Sequence, residues 1–349
     1  MTAVPGLAPA SLGPDPLARD SLARDSLVPD SLAGDPLVPD PLAEGAVERT
    51  STFSCFGSEC TVIASDSRPD DAAQAVARAR RRLLEWHRQF SRFEPESELS
   101  RLNADQRETV PVSPLMRRIA EVGIRAARMT RGLVDPTLGA QIERAGYRSH
   151  FDGAGVPLEI ALSLAPPRAP AAPSRDASWQ LLAVDRRAGT ITRPLGVKLD
   201  VGGIAKGLFA DELAVTLARL GAFALDCAGD IRLGGSAGSV REVHVANPFD
   251  GSMLHTIELT QGGVATSGIG KRSWCNPDGH LAHHLLDPRT GRPAFTGIVQ
   301  VTAVAPIAAA AEVLSKAAIL SGPDAAKRWL PAGGVIVFDD GSHEVVAAP

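Results

Sequence analysis

The chain has 349 residues, 44% of them hydrophobic and 22% charged, and a formal net charge of −4. That balance supports a sizeable core and argues against a nucleic-acid-binding class: no basic stripe occurs, and Arg78, Arg80, Arg81 and Arg82 have the spacing of a solvated helix face. The cysteines Cys55, Cys60, Cys227 and Cys275 form no CxxC pair, the first residues do not read as a signal peptide, and no apolar run reaches membrane-spanning length. Reduced thiols and a cytoplasmic protein without membrane insertion are therefore expected.

Residues 15–44 repeat a five-residue unit (DPLAR, DSLAR, DSLVP, DSLAG, DPLVP, DPLAE). A period of five suits neither helix nor strand, and its prolines remove backbone donors, so residues 1–49 read as a disordered tail and 50–349 as the folded domain. FSCFGSECTVIA (53–64) reads as paired strands turning at Gly57. Val76, Ala79, Leu83, Trp86 and Phe90 recur at three- and four-residue steps, which predicts an amphipathic helix ending near Phe90. Leu115, Ile119, Val122, Ala126 and Met129 predict a second helix that starts at Pro114 and stops at Gly132.

An Ala/Pro-rich stretch, 152–178, reads as an inserted loop. Strands are then predicted at 179–184, 190–193, 222–226, 240–246, 253–260, 298–304 and 334–339, with helices at Ala205–Leu220 and Ala308–Leu320. No βαβ alternation is visible, so the expected class is α+β.

LDVGGIAKG (199–207) places Asp200 and a glycine pair ahead of a helix that carries Lys206 in its first turn. Glycine backbone and a helix N-terminus suit an anion, and Lys206 adds a point charge; the alternative is a plain strand-to-helix turn. CAGDIRLGG (227–235) puts Asp230 between glycines at a strand end, and VATSGIGKRSW (264–274) offers Thr266 and Ser267 as hydroxyl donors on what reads as a loop. In HHLLDPRTGRP (283–293), His284 is either a general base or a structural histidine. The spacing of Cys275, His280, His283 and His284 matches no standard zinc site.

Taken in order, FSRFEPESELSRLN (90–103), GLVDPTLG (132–139), AGYRSHF (145–151), LDVGGIAKG, AGDIRLGG, VATSG, HHLLDPRTG and AAEVLSKAAIL (310–320) resemble the FAD:protein FMN transferases, the ApbE or thiamine-biosynthesis lipoprotein-like family. The resemblance spans nearly all of residues 50–340. It implies a T-fold-like α+β architecture of mixed sheets and packed helices. It also implies FAD binding, magnesium, and transfer of FMN to a threonine of a target protein with release of AMP.

By position, the resemblance assigns Phe56, Phe93, Leu133, Val134, Asp135, Asp200, Lys206, Thr266, Ser267 and His284 to the FAD site. It assigns magnesium to the Gly203 carbonyl and Glu312, and Asp287 is the expected orienter of His284 as base. Lys316 stands where the family has a metal-binding threonine; the favoured expectation is an inward lysine at the cofactor with Glu312 as counter-ion, and the alternative is an outward i,i+4 Glu–Lys pair that leaves a weaker metal site on Glu312 and carbonyls. Gly270 stands where many members place tyrosine, and no lipoprotein signal is seen. Readings from other classes are a flavin-binding or flavin-delivery protein without turnover, and an FAD diphosphatase that uses water.

Overall fold

The computed structural model describes residues 46–149, 155–275 and 281–348. The repeat at 15–44 and His280 lie outside them, and the first described strand starts at Val47. Removing residues 1–44 should leave the melting temperature unchanged, because the repeat carries too few large apolar groups to offset its ordering entropy. A clear drop in a thermal scan of the truncated chain is the contrary result.

An antiparallel eight-stranded sheet forms the centre. Its strands in chain order are β1 (Val47–Cys55), β2 (Ser58–Asp66), β3 (Ala222–Cys227) and β4 (Asp230–Gly234), with β5 (Arg241–Ala246) and β6 (Met253–Leu259) forming a separate hairpin. The sheet continues with β7 (Gly262–Gly268), β8 (Ile298–Ala305), β9 (Gly334–Phe338) and β10 (His343–Val346), and its spatial order is β1-β2-β3-β4-β7-β8-β9-β10. One face carries α1 (Pro69–Phe90), α3 (Ala205–Leu217) and α4 (Ala308–Ser321). The main core lies between this face and the helices, and includes Leu83, Trp86 and Phe90 of α1, Phe209 of α3 and Leu225 of β3. On the other face Val243 and Ile257 of the β5–β6 hairpin pack on Ile63, Ala224, Ile231, Leu233 and Val264. A further helix, α2 (Pro114–Met129), completes the main core with Met116, Ile119 and Ile124.

Two tight turns set the functional end of the sheet. Phe56 and Gly57 (φ 56° and 69°) link β1 to β2, and Ala228 and Gly229 (φ 61° and 90°) link β3 to β4. Two consecutive left-handed residues give a hairpin turn whose twist matches the strands. Cys60 pairs with Cys227 across β2 and β3, so the two tips lie side by side. The thiols of Cys55, Cys60 and Cys227 are buried and free beneath them.

The fit between α3 and α4 depends on Gly207, where a Cβ would stand 2.8 Å from the main chain of Ala308. Asp211, one turn on, caps α4 by accepting from Ala308 N (2.9 Å) and Ala309 N (3.0 Å), and Arg232 lies 3.3 Å from it. The close approach and the cap together fix which α4 residues look toward the start of α3.

Three sequence expectations change. Residues 178–181 form a 3-10 turn, and only Ala183–Asp185 are strand. Thr266 and Ser267 lie within the central strand β7, not on a loop. In the expected insert, the described part starts with a short helix, Leu158–Ser163. Residues 164–177 then run without helix or strand as a strap, with bonds from Ala169 N to Phe295 O (2.9 Å), Ala171 N to Leu320 O (2.9 Å) and Arg289 N to Ala172 O (2.9 Å).

Candidate functional site

The start of α3, the tip of β4 and the middle of α4 enclose four charged side chains. Lys206 is hydrogen-bonded to Asp230 Oδ2 and lies 3.6 Å from Glu312 Oε1. Lys316 donates to the same Glu312 oxygen at 3.1 Å, while Glu312 Oε2 accepts from Gly207 N at 3.1 Å. Side-chain exposure is 14% for each lysine, 3% for Asp230 and 0% for Glu312, so the carboxylates are deep and the ammonium groups lie nearer the surface.

Burial opposes the Lys206 charge, but Asp230 and Glu312 outweigh it and hold its pKa above the ordinary value. Burial raises Asp230, helped by the Glu312 charge and resisted by both lysines, to about 7. Burial also works against Glu312, yet Lys316, Lys206 and the Gly207 N–H hold it below its usual value. The expected inward position of Lys316, with Glu312 as its counter-ion, is the geometry found.

His284 faces this group. Burial, then the charges of Arg272, His283, Lys316 and Lys206, pushes its pKa well down, so its imidazole is neutral at pH 7. Its Nδ1 is buried without a hydrogen-bond partner in the structure. Arg272, in the bend that follows β7, reaches back to the β1–β2 tip, with Nη2 3.3 Å from Ser58 Oγ and 3.5 Å from Phe56 O. Lys206, Lys316 and Arg272 therefore all act electrostatically on one uncharged imidazole.

His283 turns the other way, 1% exposed, with Nδ1 accepting from Leu285 N at 3.2 Å and its ring edge-on to Phe295. Burial pushes its pKa down to about 3. The unfolded chain takes up this proton below about pH 6.5, whereas the folded one does not until near its depressed value. Stability present above that pH is therefore lost as pH falls, by at most about 1.4 kcal/mol per unit for one such group. Urea titrations between pH 7 and 5 should show this slope, to which the depressed His284 adds, and His283→Asn, which keeps an acceptor, should reduce it by one group's share; an equal slope in both proteins rules the assignment out.

Two loops meet beside the start of α3. Asp200 N donates to Pro136 O (2.8 Å), Gly139 N donates to Lys198 O (3.1 Å), and Asp200 Oδ1 accepts from Gly202 N (2.9 Å). Asn103 locks the second loop by bonding both main-chain groups of Leu199, each at 2.8 Å. Leu133 and Val134 are core residues, so their side chains serve packing. Asp135 Oδ1 accepts from Thr137 N and Oγ1, its Oδ2 is buried without a partner in the structure, and burial raises its pKa.

The two expected aromatic residues lie apart. Phe56 stacks on Phe209 and meets His87 edge-on. Phe93 belongs to a row in which Tyr147 stands edge-on to it and stacks on Trp274 at 5.1 Å, with the Arg92 guanidinium over both Phe93 and Tyr147. A cavity of ≈ 390 Å³ beside this row is lined by Arg92, Ala140, Glu143, Arg144 and Arg148. None of these residues belongs to the buried charged group.

Several assigned residues have other work. Thr266 Oγ1 bonds Thr302 Oγ1, and Ser267 Oγ bonds Ser315 Oγ, both at 2.8 Å, which ties β7 to β8 and to α4. Asp287 does not orient His284: Oδ1 accepts from Ala172 N (2.8 Å) and Arg289 N (3.1 Å), and Oδ2 from Thr290 Oγ1 (2.9 Å). It is a turn residue that anchors the strap. The sequence had shown Asp230 only as a strand-end residue, and it had not marked Arg272 or Asn103 at all.

The donors around Gly203 and Glu312 do not fit magnesium. Both Glu312 oxygens are engaged, and Lys316 Cε lies 3.0 Å from where a Cβ on Gly203 would stand. An ammonium has no lone pair for a cation. Among the described residues, no group of three or more His, Cys, Asp or Glu is placed to hold a metal ion.

Two little-exposed ammonium groups, a helix start and an uncharged imidazole at one end of an antiparallel sheet have the chemistry to receive an anion and a proton. The chain belongs to the ApbE family, which matches residues 56–337. It is 29% identical over 230 residues to the FAD:protein FMN transferase of Chlamydia trachomatis, covering 64% of this chain and 68% of that one. It is 27% identical over 309 residues to the enzyme of the same name from Rhodobacter capsulatus, covering 85% of this chain and 57% of that one. The ApbE protein of Thermotoga maritima has the same fold, with a TM-score of 0.70 at 25% identity over 86% of this chain and 97% of that one. No described helix is long and apolar enough to cross a membrane.

Proposed function

We propose that this chain is a flavin transferase that binds FAD and passes its FMN moiety to a threonine hydroxyl of a target protein, releasing AMP. The observation that carries this reading is the pair of ammonium groups, Lys206 and Lys316, held over the buried carboxylates of Asp230 and Glu312 at the start of α3 in a member of this family. The hydroxyl oxygen attacks the phosphorus on the FMN side of the diphosphate, the bond to the bridging oxygen breaks, and AMP leaves. His284 takes the hydroxyl proton as the new bond forms, and the cations offset charge on the diphosphate oxygens. Asp135, Asp200 and the paired loops around them hold the nucleotide, and Phe56 and Phe93 offer ring faces for packing.

Incubation with FAD and a threonine-bearing acceptor should give AMP together with covalent flavin on the acceptor. AMP without labelled acceptor identifies an FAD diphosphatase, and bound FAD with no AMP identifies a carrier. Lys206→Ala should weaken FAD binding by about 1–3 kcal/mol, the scale of a lost charge-assisted hydrogen bond. An unchanged titration moves the diphosphate away from Lys206.

A further inference from the structure

We propose that Lys316 is the fixed positive charge that this chain sets against the FAD diphosphate, and that FAD binding and flavin transfer here need no divalent cation. The inference rests on the transferase reading and deepens it.

Glu312 lies at the floor of the site. This carboxylate is 0% exposed, and both oxygens already have partners: Oε1 accepts from Lys316 with Lys206 beside it, and Oε2 accepts from Gly207 N, so a cation would have to share an oxygen with one of these donors. A magnesium ion needs oxygen donors at about 2.0–2.1 Å in near-octahedral array. Reaching Glu312 would require it to displace one ammonium and lie against another, in a setting where like charges repel strongly. The Lys316 stem lies along Gly203, with Cδ and Nζ 3.4 and 3.7 Å from the Cβ position there, so the ammonium occupies the space between the Gly203 backbone and Glu312.

Lys316 is also held as a charge donor. An ammonium has three N–H bonds, and Glu312 takes one. With 14% of its side chain exposed, the group is mostly dry yet open to a ligand. A partly desolvated cation interacts with phosphate oxygens far more strongly than a surface lysine does. Asp230 and Glu312 lie deeper than Lys206 and Lys316, so an approaching diphosphate meets the ammonium groups first.

The test uses the full chain, FAD, EDTA, and Mn²⁺ as a probe of any cation site. For the native protein, the FAD dissociation constant and the rate of AMP release should be the same in EDTA and in millimolar Mg²⁺. Spin-resonance titration of the FAD complex should show no protein-bound Mn²⁺. Lys316→Thr should bind FAD about tenfold or more weakly in EDTA, with Mg²⁺ recovering part of the loss and Mn²⁺ now binding. Lys316→Met, which keeps the stem without the charge, serves if the threonine variant does not fold, and should show the same loss of affinity without the gain of Mn²⁺.

Native activity abolished by EDTA, stoichiometric Mn²⁺ on the native FAD complex, or undiminished FAD affinity in the folded variants would each overturn the proposal. Native protein that binds FAD without Mn²⁺, loses affinity on Lys316 substitution, and yet releases no AMP with any acceptor supports the lysine's role. That result would sink the transferase reading instead.

Discussion

His284→Ala is expected to slow AMP release by about 10²–10⁴-fold, the scale of losing a general base, while FAD still binds with nearly native affinity. The imidazole is kept neutral by burial and by the charges of Arg272, Lys316 and Lys206, so it can accept a proton at pH 7 without first losing one. A base with a depressed pKa also stays competent into mild acid. The acid limb of kcat/KM should therefore fall below about pH 6.5, the ordinary histidine value. Single-turnover AMP release and FAD titrations on the same preparation separate the possibilities. Full turnover in the variant places the base elsewhere, and lost folding makes His284 a structural residue.

Lys206→Met should be the most destabilising single change at the site, by about 3–5 kcal/mol in urea unfolding. It leaves Asp230 buried without its direct cation, and Glu312 keeps only Lys316. Removing both partners should be milder than removing one, so Lys206→Met with Asp230→Leu should recover much of the stability. The double variant should remain weak in FAD binding, since the charge is not restored. If the single variant is as stable as the parent, the Lys206–Asp230 pair is not the buried support described above.

How much of this could be read from the chain depended on the range of the signal. The α1 face was legible because Val76, Ala79, Leu83, Trp86 and Phe90 carry the helical period within themselves, and all of them are buried. Lys206 stood out through local chemistry, a glycine pair leading into a helix. The grouping around it did not: Asp230 and Glu312 lie 24 and 105 residues beyond Lys206 and Gly207, and no local pattern records such pairings. Thr266 and Ser267 were misplaced because hydroxyl- and glycine-rich sequence favours turns, whereas here pairing with β8 overrides that tendency. Asp287 misled for the opposite reason. An Asp before Pro beside a histidine pair looks catalytic, but its oxygens are taken by the main chain of residues 172 and 289 and by the Thr290 hydroxyl of its own turn. Asn103, by contrast, carries no local cue for a bond to Leu199 across 96 residues.

The strap at 164–177 bears on anyone who wishes to insert a reporter, an affinity tag or a new pair of chain ends. Its alanine and proline content makes it look like spare linker. Yet it is stitched to Phe295, to Leu320 and to the Asp287 turn, and Leu285, next to His284, is joined in turn by Ala294 N at 2.9 Å. Opening the chain there would loosen the shelf on which the base stands. The exposed turn at Asp340–Gly341, between β9 and β10 and closed by Asp340 on Ser342, is the better place to cut or graft.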